Sequence, residues 1–161
     1  MKIGIKGLAK GILYAVVSAV FYVVVPYYII QLVLQYFAGI ALDTAILQWI
    51  EIIGGAIAVV AFFVGFFQPK TIKHAVAGLA QAGLIATYIY YVIGGGYKGT
   101  FGIFRISFSP ANITLDISMI LLLPLLIILL SSLGYVVELV HAIRLRGKAV
   151  LAQTLAPVKT V

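Results

Sequence analysis

The stretch from Ile117 to Val137 constrains this chain more than any other. It lies between Asp116 and Glu138 with no charged side chain inside it. Its centre reads Ile120-Leu121-Leu122-Leu123-Pro124-Leu125-Leu126-Ile127-Ile128-Leu129-Leu130. As α-helix it extends about 31 Å, close to the thickness of bilayer hydrocarbon. A helix on a soluble domain needs a polar stripe opposite its buried face, and this one has none. Glu138, His141, Arg144, Arg146 and Lys148 follow directly, a charged exit of the kind that fixes orientation across a membrane.

Composition extends that inference to the whole chain. Of the 161 residues, 64% are hydrophobic and 9% charged, where a soluble domain carries roughly a quarter charged. Mean hydropathy is +1.21. The expected fold is an all-α membrane protein, a four-transmembrane-helix antiparallel bundle forming one polytopic domain over 1–161. Its spans fall near 11–40, 45–67, 74–93 and 117–143, with an outer loop at 94–116 and a tail at 144–161. The absence of cysteine excludes disulfides, zinc fingers and thiol catalysis. One asparagine and two methionines amid abundant Val and Ile fit a thermophile.

Each span carries its own pattern. Lys2, Lys6 and Lys10 share a helical face, which suits a short helix lying in the headgroup plane before the first span. In span one, Tyr14, Ser18, Phe21, Val25, Tyr28, Leu32 and Gln35 alternate by four and three, which predicts a packing seam, with Gln31 nearby. Pro26 predicts a kink. Asp43 or Thr44 is a plausible cap for span two. There Gly54, Ala58, Ala61 and Gly65 predict a close helix approach, as do Ala75, Gly78, Ala82 and Ala86 in span three. Trp49, and Tyr88, Tyr90 and Tyr91 at the far end of span three, read as interfacial aromatics. Phe101 to Phe108 alternates, Ser109 to Asn112 supplies turn residues and Ile113 to Leu115 can return, so a small outer β-hairpin or lid is expected between helices three and four.

Orientation follows from charge. Lys2, Lys6, Lys10, Lys70, Lys73, Arg144, Arg146, Lys148 and Lys159 belong to one side, and only Lys98 and Arg105 to the other. The positive-inside rule then places both termini in the cytoplasm of a multi-pass plasma-membrane protein. Anionic lipid explains the net charge of +7 without a nucleic-acid partner. A small turn after span one and a larger loop after span three resemble the layout of tetraspanins. That family's cysteine motif is absent, so the likeness is one of layout without kinship.

No catalytic or phosphate-binding motif is present, and neither enzyme activity, a metal nor a cofactor is expected. Glu51 sits inside an apolar span, at a depth where Gln35 or Gln31 of span one can reach it; with Tyr28 these are the intramembrane polar candidates. A buried Glu51, held neutral and bonded to one of those amides, is the expected arrangement. His74, Glu138 and His141 gather at the cytoplasmic boundary. Two histidines on adjacent spans can ligate a haem b, although boundary positions hold polar residues in any case. Asn112-Ile113-Thr114 is a glycosylation sequon. The function expected from this inventory is a non-catalytic structural, scaffolding or assembly subunit, whose partners are the lipid bilayer and other membrane subunits or a homo-oligomer. The alternatives are a small proton- or cation-coupled transporter or channel protomer using Glu51, and a haem b anchor.

Overall fold

A computed structural model describes residues 5–36, 45–96, 100–108 and 111–155. The chain is predominantly helical, with four helices long and apolar enough to cross a membrane: Ile5–Val33, Ala45–Phe66, Ile72–Ile93 and Ser118–Lys148. The first is built from α1 (Ile5–Ala19), a π-helical turn (Val20–Val24) and α2 (Val25–Tyr36). Next come α3 (Ala45–Phe66), then α4 (Ile72–Tyr88) continuing into a second π-helical turn (Ile89–Ile93). Strands β1 (Ile103–Phe108) and β2 (Ala111–Asp116) precede α5 (Ser118–Leu155).

Several features differ from the sequence expectation, each for a local reason. Residues 5–10 are the first turns of α1, not a separate surface helix; nothing between Lys6 and Gly11 breaks a helix. Pro26 is accommodated by the π turn just before it, in which the Val25 N–H bonds the Val20 carbonyl. A proline at 26 cannot donate to the Tyr22 carbonyl, so a wider turn relieves the ladder. At the other end, α5 continues through Arg144 to Leu155. Leu, Lys, Arg and Ala in that segment favour helix, and the next strong breaker is Pro157. The turn expected at 39–44, with Asp43 and Thr44, lies outside the described residues.

Packing follows chain order: α1 on α3, α3 on α4, and α4 on α5, while α1 and α5 form no packed pair among the described residues. The core is Ile50, Ile53, Ile57, Tyr88 and Val92, with Tyr22 and Leu84 against it. Two approaches bring backbones together. A Cβ at Gly54 would stand 2.5 Å from the Tyr22 carbonyl oxygen, the atom that Pro26 leaves without its helical donor. At the other end of α3, a Cβ at Gly65 would stand 2.8 Å from the Lys10 carbonyl oxygen and 2.9 Å from the Gly11 Cα.

Burial corrects the seam expected for span one. Ser18 is buried, but Phe21 and Tyr28 are 65% and 64% exposed. The packed side instead carries Gly7 and Gly11, whose would-be Cβ atoms meet Phe66 and Phe62, followed by Ser18 and Tyr22. Those positions are spaced by four and seven, and glycines rather than polar atoms set which side of the span packs.

The strands pair antiparallel, Ile103 opposite Asp116 through Phe108 opposite Ala111. The return strand thus begins at Ala111, and Asn112 lies within β2 opposite Ser107 rather than in a turn. Gly102, at φ +72°, anchors the hairpin: its N–H bonds the Gly94 carbonyl at 2.7 Å and its carbonyl accepts from Ile117 at 2.8 Å. Asp116 then starts α5, accepting from the Ser118 hydroxyl at 2.6 Å and the Ser118 N–H at 3.0 Å. Those two donors, the hydroxyl first, hold its carboxyl below the ordinary 3.8.

Candidate functional site

The most connected polar group joins the turn before α4 to the side of α5. Lys70 adopts φ +63°, which turns the chain sharply between α3 and α4. Thr71 caps α4, accepting from the His74 N–H at 3.2 Å while its hydroxyl donates to the Gln68 carbonyl at 2.7 Å. Glu138 reaches across from α5, accepting from the Lys70 N–H and lying 2.9 Å from His74 Nδ1. The two side chains are 14% and 19% exposed, so solvent screens the pair only in part. Tyr135, one turn earlier on α5, sets its ring 5.9 Å from that of His74. It also fills the space opposite Gly78, where a Cβ would overlap the ring. This is a clamp: one carboxylate closes a strained turn, and one aromatic fits a glycine gap.

His141 is exposed on α5 and takes no part in that clamp. His74 Nδ1 is committed to Glu138, and the described residues contain no group of three or more acids, histidines or cysteines able to hold a metal.

The polar residues expected within the spans are placed differently from expectation. Glu51, Gln31, Gln35 and Tyr28 are all exposed on the single chain, and none has a hydrogen-bond partner among the described residues. The expected Glu51–glutamine bond is not formed. Ile50, Ile53, Gly54 and Ile57 define the buried side of α3, and Glu51 lies about 100° from Ile50, turned outward. Of the small residues expected in seams, Gly54, Ala61, Gly65, Gly78 and Ala82 are buried, while Ala58 and Ala86 are half-buried.

No known family, characterised protein or solved structure matches this chain.

The aromatic residues divide by role. Tyr90 stacks on Phe101 and Tyr91 on Trp49, at 5.4 and 5.5 Å, an exposed cluster at the hairpin end. Tyr88 does not join them. It is 2% exposed, edge-on to Tyr22 at 5.5 Å, with its hydroxyl unbonded. Two residues, about 200° around an α-helix, separate the core ring of Tyr88 from the surface ring of Tyr90. The Tyr22–Tyr88 contact brings together two helices that each carry a π turn beside it, an arrangement the apolar pattern of the sequence conceals. Its only sequence signal is Pro26, four residues after Tyr22.

Proposed function

We propose that this is a multi-pass membrane protein with both termini in the cytoplasm and the hairpin outside. It acts as a non-catalytic structural or assembly subunit whose α3 face, around Glu51, packs on a partner. The observation that carries this reading is Glu51 itself. It lies about 9 Å along α3, exposed, without a partner of its own chain among the described residues. Lipid tails cannot satisfy a carboxyl group, whereas a neighbouring protein can. Gln31 and Gln35 are exposed as well and make the same demand. The core, by contrast, is aliphatic around one tyrosine pair, which does not support a polar path inside one chain.

The outer spans favour the same conclusion. Only 11% and 6% of the most apolar stretches of the first and last spans are buried within the chain, against 39% and 33% for the middle two. The test is to isolate the protein in native lipid discs and measure its mass and companions, for wild type, Glu51→Gln and Glu51→Leu. A complex retained by Glu51→Gln and lost in Glu51→Leu is expected. Monomers throughout would refute the reading. Proton or cation flux in liposomes that disappears in Glu51→Gln, with assembly intact, would replace it with transport. Orientation is read from Thr114→Cys and Arg144→Cys in intact cells, where only the former is expected to react with an impermeant reagent.

A further inference from the structure

At the end of the molecule opposite the hairpin, three elements surround a cleft of about 890 Å³, within the range of small-molecule sites. Lys6 and Lys10, one turn apart on α1, line one side; Lys70 and Lys73 of the α3–α4 turn line another; Arg146 of α5 completes it. Phe66, Phe67 and Ile72 supply an apolar wall. Five cations therefore face one space, and among the described residues no acid lines it.

Among the described residues nothing neutralises them. Glu138 is the acid nearest this turn, and it is already occupied by the Lys70 N–H and His74. Asp43, Glu51 and Asp116 come at or near the starts of α3 and α5, the opposite ends of those helices. Among the described residues none of the five cations pairs with a carboxylate. Lys10 and Lys73 instead set their amines 5.5 and 5.9 Å from the rings of Tyr14 and Phe67. Cations gathered without counter-charge repel one another, and a bound anion relieves that repulsion.

We propose that this cleft binds the phosphate-bearing headgroup of an anionic phospholipid. The inference rests on the membrane reading above, which puts the cleft at headgroup level. The cations then face the phosphate while the phenylalanine wall continues toward the acyl chains. Basic pockets between membrane helices are suited to such headgroups. Arg144 and Lys148 belong to the same end of α5 but line a separate depression with His141, so they serve as an internal control for diffuse surface charge.

The experiment uses the full chain in detergent, confirmed monodisperse and helical for every variant. Native mass spectrometry measures retention of phosphatidylglycerol and of phosphatidylcholine, and melting is followed with each lipid and with inorganic phosphate. The variants are Lys10→Gln/Arg146→Gln in the cleft and Arg144→Gln/Lys148→Gln outside it. Phosphatidylglycerol is expected to be retained and to raise the melting temperature, and phosphatidylcholine to do neither. The cleft variant should weaken retention about thirtyfold, taking about 1 kcal/mol per basic side chain at an anionic surface and about 1.4 kcal/mol per tenfold. The control variant should bind like wild type. Equal retention of both lipids, or equal loss in the two variants, overturns a built headgroup site. Stabilisation by inorganic phosphate matching that of the lipid overturns the lipid assignment in favour of a soluble anion. A protein released from membranes by alkali would instead refute the membrane reading, independently of headgroup preference.

Discussion

Adjacent glycines in α3 give a controlled test of how this chain packs. A Cβ at Gly54 would lie 2.5 Å from the Tyr22 carbonyl oxygen, 2.8 Å from Val23 Cγ2 and 3.0 Å from the Tyr22 carbonyl carbon, whereas one at Gly55 would meet nothing within 4 Å. Two of the three atoms facing Gly54 are backbone, so no side-chain rotation relieves the contact and the helices must separate. Overpacking of this kind costs about 1–3 kcal/mol. At Gly55 the same methyl restores helix propensity and stabilises by about 0.5–1 kcal/mol. Gly54→Ala and Gly55→Ala should therefore differ by about 1.5–4 kcal/mol with opposite signs. At about 2–4 °C per kcal/mol for a chain of this length, the melting temperatures should stand roughly 3–16 °C apart. Trp49 fluorescence during heating in detergent measures this, with helicity by circular dichroism as a check on folding. If the two variants melt within a degree of each other, the α1–α3 contact is not a backbone approach and the packing described here is wrong.

Three further outcomes are expected. Gly78→Ala should destabilise, because the added methyl would overlap the Tyr135 ring and force it aside, and Tyr135→Leu should absorb much of that loss. A double-mutant cycle should then show coupling of about 0.5–3 kcal/mol. Glu138→Ala leaves the Lys70 N–H and His74 without their acceptor and should cost about 1–3 kcal/mol. Glu138→Gln keeps an acceptor for the Lys70 N–H and should cost less, as read by denaturant titration in micelles. Because the Asp116 carboxyl is held below 3.8, its contribution is complete above that value and is lost as pH falls through the lower folded value. Amide exchange at Ser118 should accelerate in that acid window in wild type and be already fast and pH-flat in Asp116→Ala, after correction for intrinsic exchange.

What could be read from the sequence was whatever depends on composition along one helix. Ile120 to Leu130 declares a helix long and apolar enough to span a membrane regardless of its neighbours, and Gly54 and Gly65 declare a close approach because only a missing Cβ permits one. The phase of burial was less legible, because it depends on partners. Span one offers polar atoms at Tyr14, Tyr28 and Gln35 on a plausible seam, yet α3 meets it through Gly7, Gly11 and Tyr22. In an apolar chain the polar positions are not a reliable guide to the interior, since lipid-facing and core-facing surfaces have the same composition. The role of Tyr88 was hidden for a related reason: three tyrosines in four positions look alike until the partner helix selects one. The Lys70–Glu138 bond was beyond sequence reasoning, because the donor is a backbone N–H whose exposure depends on a positive φ.

The same equivalence of lipid and protein surfaces makes Glu51 informative. An exposed leucine on α5 says nothing about its surroundings, because acyl chains and another helix contact it equally well. A carboxyl group in an apolar span is not neutral in that way: its surroundings must supply hydrogen bonds, a counter-charge or a route to the headgroups. If the surroundings are lipid, replacing Glu51 by leucine removes a desolvation penalty, so the isolated protein becomes more stable and nothing is lost. If they are a partner helix, the same replacement leaves that partner's polar group unmet, and the assembly weakens while the monomer still gains. Monomer stability therefore moves in the same direction on both readings, and only assembly separates them. The α1–α3 backbone contact and the Glu138 clamp fix the helices relative to one another without using the Glu51 face, so that face is free to be matched to a second surface.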